Sequence, residues 1–226
     1  KTFPEILQKE GYVTIGLTDL HTGKDGGYGN TQWTILNDTI ARQLGPALTT
    51  EAVKHIRVNT TNPLFLYLHF RDAHMIYNQS NLSQEQIEAM KKYKFSFDYK
   101  ENRIADRKTM EELLPLAKEK YRESLQFIDT QIGRVLAEVD MENTVIVVTG
   151  DHGEMFDEHG HILHDGTLLK EIVHVPLIIA GKNIKPARYE RIVQAADIYP
   201  TILSLAKIDS PDDIAGQDLF SPKYVE

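Results

Sequence analysis

Thr144-Val145-Ile146-Val147-Val148 is an unbroken apolar, β-branched run, and after Thr149 the chain turns abruptly to Gly150-Asp151-His152-Gly153-Glu154. A short run without polar alternation is the signature of a strand buried on both faces, as in the centre of a parallel sheet. Similar runs occur at Tyr12 to Leu17, Leu64 to Leu68 and Val175 to Ala180, with a shorter one at Ile192-Val193. Helical spacing lies between them. Thr2-Phe3-Pro4-Glu5 forms a capping box ahead of an apolar face of Phe3, Ile6 and Leu7, and Gly11 stops that helix. Ile35 to Val58 reads as helix. So does Glu111 to Val139, with Leu125, Ile128, Ile132 and Leu136 on one stripe, and so does Asp197 to Ala206, capped by Asp197. Residues 22–34 are Gly-rich and read as a loop, and the polar stretch at about 75–110 reads as a helical surface excursion. Helices alternating with buried strands specify an α/β fold: a doubly wound, mostly parallel central sheet with helices on both faces, formed as one domain over residues 1–226.

In such sheets ligands bind beyond the carboxyl ends of the strands, so the residues just past each apolar run carry the functional interest. Asp151 and His152 follow the strand ending at Val148, and adjacent carboxylate and imidazole donors on one turn can reach a single divalent cation. Gly150 and Gly153 let the backbone turn there. His159, His161 and His164 follow on the same loop. His74 lies just past the strand near Phe70, in Arg71-Asp72-Ala73-His74, and His21 lies just past the strand ending near Leu17. His55, His69 and His174 fall within or beside elements and are assigned no role. An imidazole at a strand end can bind an anionic oxygen or protonate a leaving group. The sequence predicts that His21, His74, Asp151, His152 and His164 converge on one sheet edge.

Composition narrows the partners. Lys and Arg number 25 against 33 Asp and Glu, a formal net charge of −8 with no basic run, which argues against nucleic acid or an anionic membrane surface. An anionic substrate would need local cations to offset that charge. The absence of Cys rules out disulfides and thiolate metal sites within these residues. No apolar run approaches the roughly 18 residues of a membrane span. Sequons at Asn37, Asn59, Asn78 and Asn81 would permit glycosylation of an exported protein, and the compartment stays open.

The residues from Val145 to Ala180, VIVVTGDHGEMFDEHGHILHDGTLLKEIVHVPLIIA, resemble the block of the sulfatase family in which a strand, Asp-His or Asp-Asn, Gly-Glu and Glu-His-Gly precede a VPLII strand. LQKEGYVTIGLTDLHTG is similar to that family's LKEAGYxTxxxGKWHLG, and PLFLYLHFRDAHMIY to its PFFLYLxFxDPHxPY. YRESLQFIDTQIGRVL and AADIYPTILSLAKID likewise resemble family segments, all in family order from about Phe3 to Phe220.

The resemblance implies an alkaline-phosphatase-like fold and a metal-dependent hydrolase of sulfate esters, with small anionic esters as substrates. It implies that Asp151 and His152 are metal ligands. His74 and His164 would contact ester oxygens or the leaving group, and His21 would match the GKWH histidine. Calcium is the metal the family suggests, and manganese, magnesium or zinc suit the donors as well. The Lys of GKWH is Asp19 here, a charge that would repel the anion. Family members also carry a strand with two further acidic ligands and a C/S-x-P-x-R motif whose Cys or Ser becomes formylglycine. Neither occurs in these residues, so the nucleophile is expected upstream of Lys1, and a C-terminal subdomain is expected beyond Glu226. The 226 residues alone are then expected to be inactive. Two further readings stay open: a phosphoryl or phosphoethanolamine transferase, or a phosphatase, of the same superfamily, and an inactive interaction module.

Overall fold

A computed structural model of the chain describes residues 2–18, 32–35, 44–59, 61–77, 82–164 and 166–225. Asp19, His21 and the sequons at Asn37, Asn78 and Asn81 lie outside them.

Helix α1 (Phe3–Lys9) starts where the Glu5 carboxylate accepts from the Thr2 amide at 2.9 Å, and Gly11 ends it at φ +85°. It leads into β1 (Val13–Thr18), the middle strand of a three-stranded parallel sheet in the order β2-β1-β3. Strand β2 (Gln32–Ile35) falls partly in the stretch read from sequence as a loop, and β3 is Leu64–Leu68. Ile15 lies opposite both Gln32 and Leu66. Helix α2 (Leu44–Val58) connects β2 to β3. Ile15, Leu17, Leu48, Ala52 and Val135 form one buried cluster of this layer. Leu7 and Leu203 bury a second with Phe3 and Tyr199 against it.

Strand β6 (Val145–Thr149) departs from expectation. Its partner among the described residues is β9 (Leu177–Gly181), antiparallel, with Val147 opposite Ile179. Val145 and Thr149 are exposed and the residues between them half-buried. A β-branched run reports a fit to pleated, half-buried surface rather than the direction of the neighbouring strand. Among the described residues, then, three parallel strands form one sheet and β6 and β9 another, with no single sheet joining them. Ile192-Val193 forms no strand, and Ile192 is exposed.

The stretch beyond His74 is more than a surface excursion. Helix α3 (Gln84–Phe95) is capped by Ser83, whose hydroxyl accepts from the Gln86 amide at 3.2 Å. A short hairpin of β4 (Phe97–Asp98) and β5 (Arg103–Ile104) follows. Met90, Tyr93, Phe97 and Met110 are buried together with Met75, Tyr77, Ile162 and Leu163. Ile162-Leu163 is β8, paired with β7 (Met155–Phe156), so the excursion backs the loop that follows Asp151 and His152.

Helix α4 (Arg107–Leu136) runs 30 residues. Its buried positions are Met110, Ala117, Lys120, Ser124, Gln131 and Val135, while Leu125 is 44% exposed. The expected Leu125 stripe is therefore not the buried face. The C-terminal half of α4 packs against α2, where Val135 joins Leu48 and Ala52 and the Thr49 hydroxyl donates to Gln131 Oε1 at 3.2 Å, while Met110 and Ala117 pack under the excursion. Helix α5 (Lys170–Val173) precedes β9, and α6 (Ile198–Leu205) ends the regular structure. Asp197 does not cap α6 through its side chain. Its buried carboxylate instead accepts from the amides of Gln194 and Gln217 and from the Tyr224 hydroxyl, at 2.8, 2.8 and 2.9 Å, which ties the C-terminal segment down. Burial opposes ionisation of this group, yet those donors hold it below the usual carboxylate range. No helix among the described residues is long and apolar enough to cross a membrane.

Candidate active site

Strand β3 delivers His69 to His74 at its carboxyl end and β6 delivers Gly150 to Glu154 at its own. The two segments meet at a cleft of about 300 Å³ lined by His69, Arg71, His74, Tyr121, Asp151, His152 and Glu154. A larger groove of about 530 Å³ lies between α2 and α4, bordered by Thr49, Lys54, Arg57 and Arg134. No candidate residue borders it, and its Arg57 is engaged by Glu138 at 2.7 Å.

Gly153 shapes the turn. Its amide donates to the Ile172 carbonyl at 2.7 Å, and a Cβ at this position would collide with the Glu171 carbonyl oxygen. At Gly150 a Cβ would find ordinary contacts of 3.5 Å. The close approach at Gly153 is thus to the chain's own backbone. Asp151 sits on the outside of the turn, its Oδ1 accepting from the His152 amide at 2.9 Å.

Three imidazoles gather here. The His152 and His164 rings stack with centroids 4.0 Å apart, and His74 meets His164 edge-on at 5.5 Å. Each is held through Nδ1. His74 donates to the Met75 carbonyl at 2.8 Å and His152 to the Gly153 carbonyl at 2.9 Å. His164 Nδ1 lies 3.4 Å from Glu154 Oε2. A carbonyl oxygen only accepts, so His74 and His152 carry their proton on Nδ1 and present a basic Nε2. Burial holds the His74 imidazolium below its ordinary value of 6.5. The Arg71 and His164 charges push the same way, and the bond to Met75 opposes them.

His74, Asp151, His152 and His164 therefore come together, although the strands that deliver them lie in separate sheets among the described residues rather than on one sheet edge, and His21 lies outside the described residues. Of the other loop histidines, His159 turns out to Glu171 with Nε2 at 3.4 Å, and the His161 ring faces Phe97 at 6.3 Å. Four polar residues of the cleft were not among the sequence candidates: His69, Arg71, Tyr121 and Glu154. His69 lines the cleft and meets the Thr18 hydroxyl at 3.1 Å, and its place directly after β3 was the available signal. Glu154 has a side chain only 4% exposed. Tyr121 comes from α4, far along the chain, and no local pattern announced it.

Asp151 Oδ2 and His152 Nε2 are 3.7 Å apart, and the bond at Nδ1 leaves the Nε2 lone pair open, a donor pair of the type that fits one divalent cation. Among the described residues no group of three or more His, Asp or Glu is placed to hold a metal ion, so this pair covers only part of a coordination shell.

The family model described as Sulfatase matches residues 1–208. A sulfatase from Escherichia coli (strain K12), YidJ, is 34% identical over 100 residues, covering 43% of this chain and 20% of that protein. Arylsulfatase K of Mus musculus is 32% identical over 98 residues, 41% of this chain and 18% of that one. The aligned part is thus about a fifth of each relative's length. Among solved structures, one described as a sulfatase from Bacteroides thetaiotaomicron superposes with a TM-score of 0.66 at 17% identity, covering 97% of this chain and 55% of that one. A 2-O GAG sulfatase superposes at 0.59, also at 17% identity and with the same coverage. At that identity the likeness concerns the fold.

Proposed function

This chain belongs to the sulfatase family, and we propose that the cleft between the ends of β3 and β6 is part of the active site of a metal-dependent sulfate-ester hydrolase. The observation that carries this reading is the gathering of His74, His152 and His164 beside Asp151, from segments that follow β3 (ending at Leu68), β6 (ending at Thr149) and β8 (ending at Leu163).

Asp151 and His152 would hold a divalent ion, calcium by family pattern or manganese, magnesium or zinc by donor type, with the remaining ligands supplied from elsewhere. Bound there, the ion would supply Lewis-acid polarisation of the ester oxygens. His74, kept neutral by burial and protonated on Nδ1, is suited to take a proton or a hydrogen bond at Nε2. We assign His164 to the departing oxygen, and His21 to the family's GKWH position. Arg71 lines the cleft and sets a positive charge beside the Asp151 and Glu154 carboxylates, where an anionic ester would enter. The nucleophile, a formylglycine made from Cys or Ser, is assigned to a segment outside these 226 residues. Small sulfate esters are the proposed substrates, and phosphate esters are the competing class.

The test is titration of the 226-residue chain with nitrophenyl sulfate, followed through the histidine side-chain NMR signals. Shifts at His74, His152 and His164, with His55 and His174 unmoved, are expected. Shifts confined to His55, His174 or the α2–α4 groove would refute the site.

A further inference from the structure

We propose that Glu154 is a positioning residue for His164, fixing its ring and its tautomer. The role rests on the assignment of His164 to the departing oxygen, but the contact is tested without any turnover.

Glu154 is buried, with a side chain 4% exposed, on the wall of the cleft. A buried carboxylate is costly unless it is paired. Its Oε2 meets His164 Nδ1 at 3.4 Å, and its Oε1 makes no hydrogen bond among the described residues. Among the described residues no backbone amide and no Lys or Arg is bonded to it, as would be expected of a carboxylate retained for folding. Its charge is also felt by Tyr77, Tyr93 and Tyr121, whose hydroxyls are all pushed up, first by burial and then by Glu154. The imidazole is therefore the partner that accounts for a carboxylate at this place.

The chemistry of the contact follows from the donors. An ionised carboxylate only accepts, so His164 must give it Nδ1–H, which leaves Nε2 as the nitrogen for exchange with a ligand. His74 and His152 reach the same state through the carbonyls of Met75 and Gly153. Those acceptors are backbone, so no substitution removes them. Of these three Nδ1 contacts only that of His164 is to a side chain, so the identity of residue 154 bears directly on it. Between the stacked His152 ring and the edge of His74, a flipped or re-protonated His164 would present the wrong nitrogen.

The experiment is long-range nitrogen–proton NMR of the histidine rings in the 226-residue chain, in wild type and in the Glu154→Leu and Glu154→Gln variants. In wild type the His164 proton is expected on Nδ1. In Glu154→Leu it is expected to move largely to Nε2, while His74 and His152 keep theirs on Nδ1. In Glu154→Gln the amide remains in contact and the His164 ring nitrogens shift. A wild-type His164 protonated on Nε2 would overturn the proposal. So would His164 signals unmoved in both variants, or signals of all three histidines lost together in Glu154→Gln, which would make Glu154 a residue of the fold. Failure of nitrophenyl sulfate to bind, with this tautomer pattern intact, would instead count against the sulfatase reading alone.

Discussion

Arg107, the first residue of α4, places Nη1 2.7 and 2.8 Å from the two carboxylate oxygens of Asp157, which itself sits at φ 76°. The pair joins the helical excursion to the loop that carries Glu154 and His164. Phe97 beside His161 and Asn102 reaching the Gly166 carbonyl at 3.4 Å hold the same loop further along. The pair is substantially exposed, so Arg107→Ala should lower global stability by only about 0.5–1 kcal/mol. Its local effect should be larger. Hydrogen exchange at residues 155–164 is expected to accelerate well beyond that of β1 and β3, and equal acceleration throughout would show that the pair does not act on the loop.

Gly150→Ala and Gly153→Ala form a matched pair. A methyl group at 150 meets neighbours at normal contact distance, whereas at 153 it runs into the Glu171 carbonyl and threatens the bond to Ile172. Chemical denaturation should find the first within about 1 kcal/mol of wild type and the second destabilised by roughly 2 kcal/mol or more, in the range of other backbone-strain substitutions.

His74 makes stability depend on pH. Its folded pKa lies below 6.5 because it is buried, so as pH falls through 6.5 the unfolded chain takes up a proton before the native state does. Stability is unaffected by this group above that value and declines below it, until the pH passes the folded pKa. In urea titrations from pH 7.5 to 5, His74→Gln should show a shallower loss than wild type.

Much of the site was legible because strand ends announce themselves. The apolar run before Gly150 and the one before His69 stop abruptly at polar residues, and the structure brings both stops to one cleft. The parallel strands β1 and β3 were equally visible. What was hidden depends on neighbours remote in sequence. The antiparallel partner of β6 follows from how β9 returns, which no property of Thr144 to Val148 encodes. The buried face of α4 was misread because hydrophobicity favours Leu125, whereas contact with α2 selects Gln131 and Val135. Glu154 carries no role in the sequence pattern, and its burial beside His164 is what distinguishes it.

Asp151 and His152 leave most of a coordination shell unfilled, so the 226-residue chain should bind calcium, manganese or zinc weakly. Calorimetric titration is expected to show no tight one-to-one binding. Tight binding that survives Asp151→Ala would place the metal elsewhere.

The most direct test of the sulfatase reading is turnover of nitrophenyl sulfate against nitrophenyl phosphate by a chain carrying the family's C/S-x-P-x-R segment ahead of Lys1. The account predicts sulfate hydrolysis in preference to phosphate. His74→Ala and Asp151→Ala should each lower it by about 10²-fold or more, the scale of a lost acid–base or electrostatic group. The 226 residues alone should be inactive. Sulfate turnover indifferent to both substitutions would contradict the site, and clear turnover by the 226-residue chain, abolished by Asp151→Ala, would place the nucleophile within these residues.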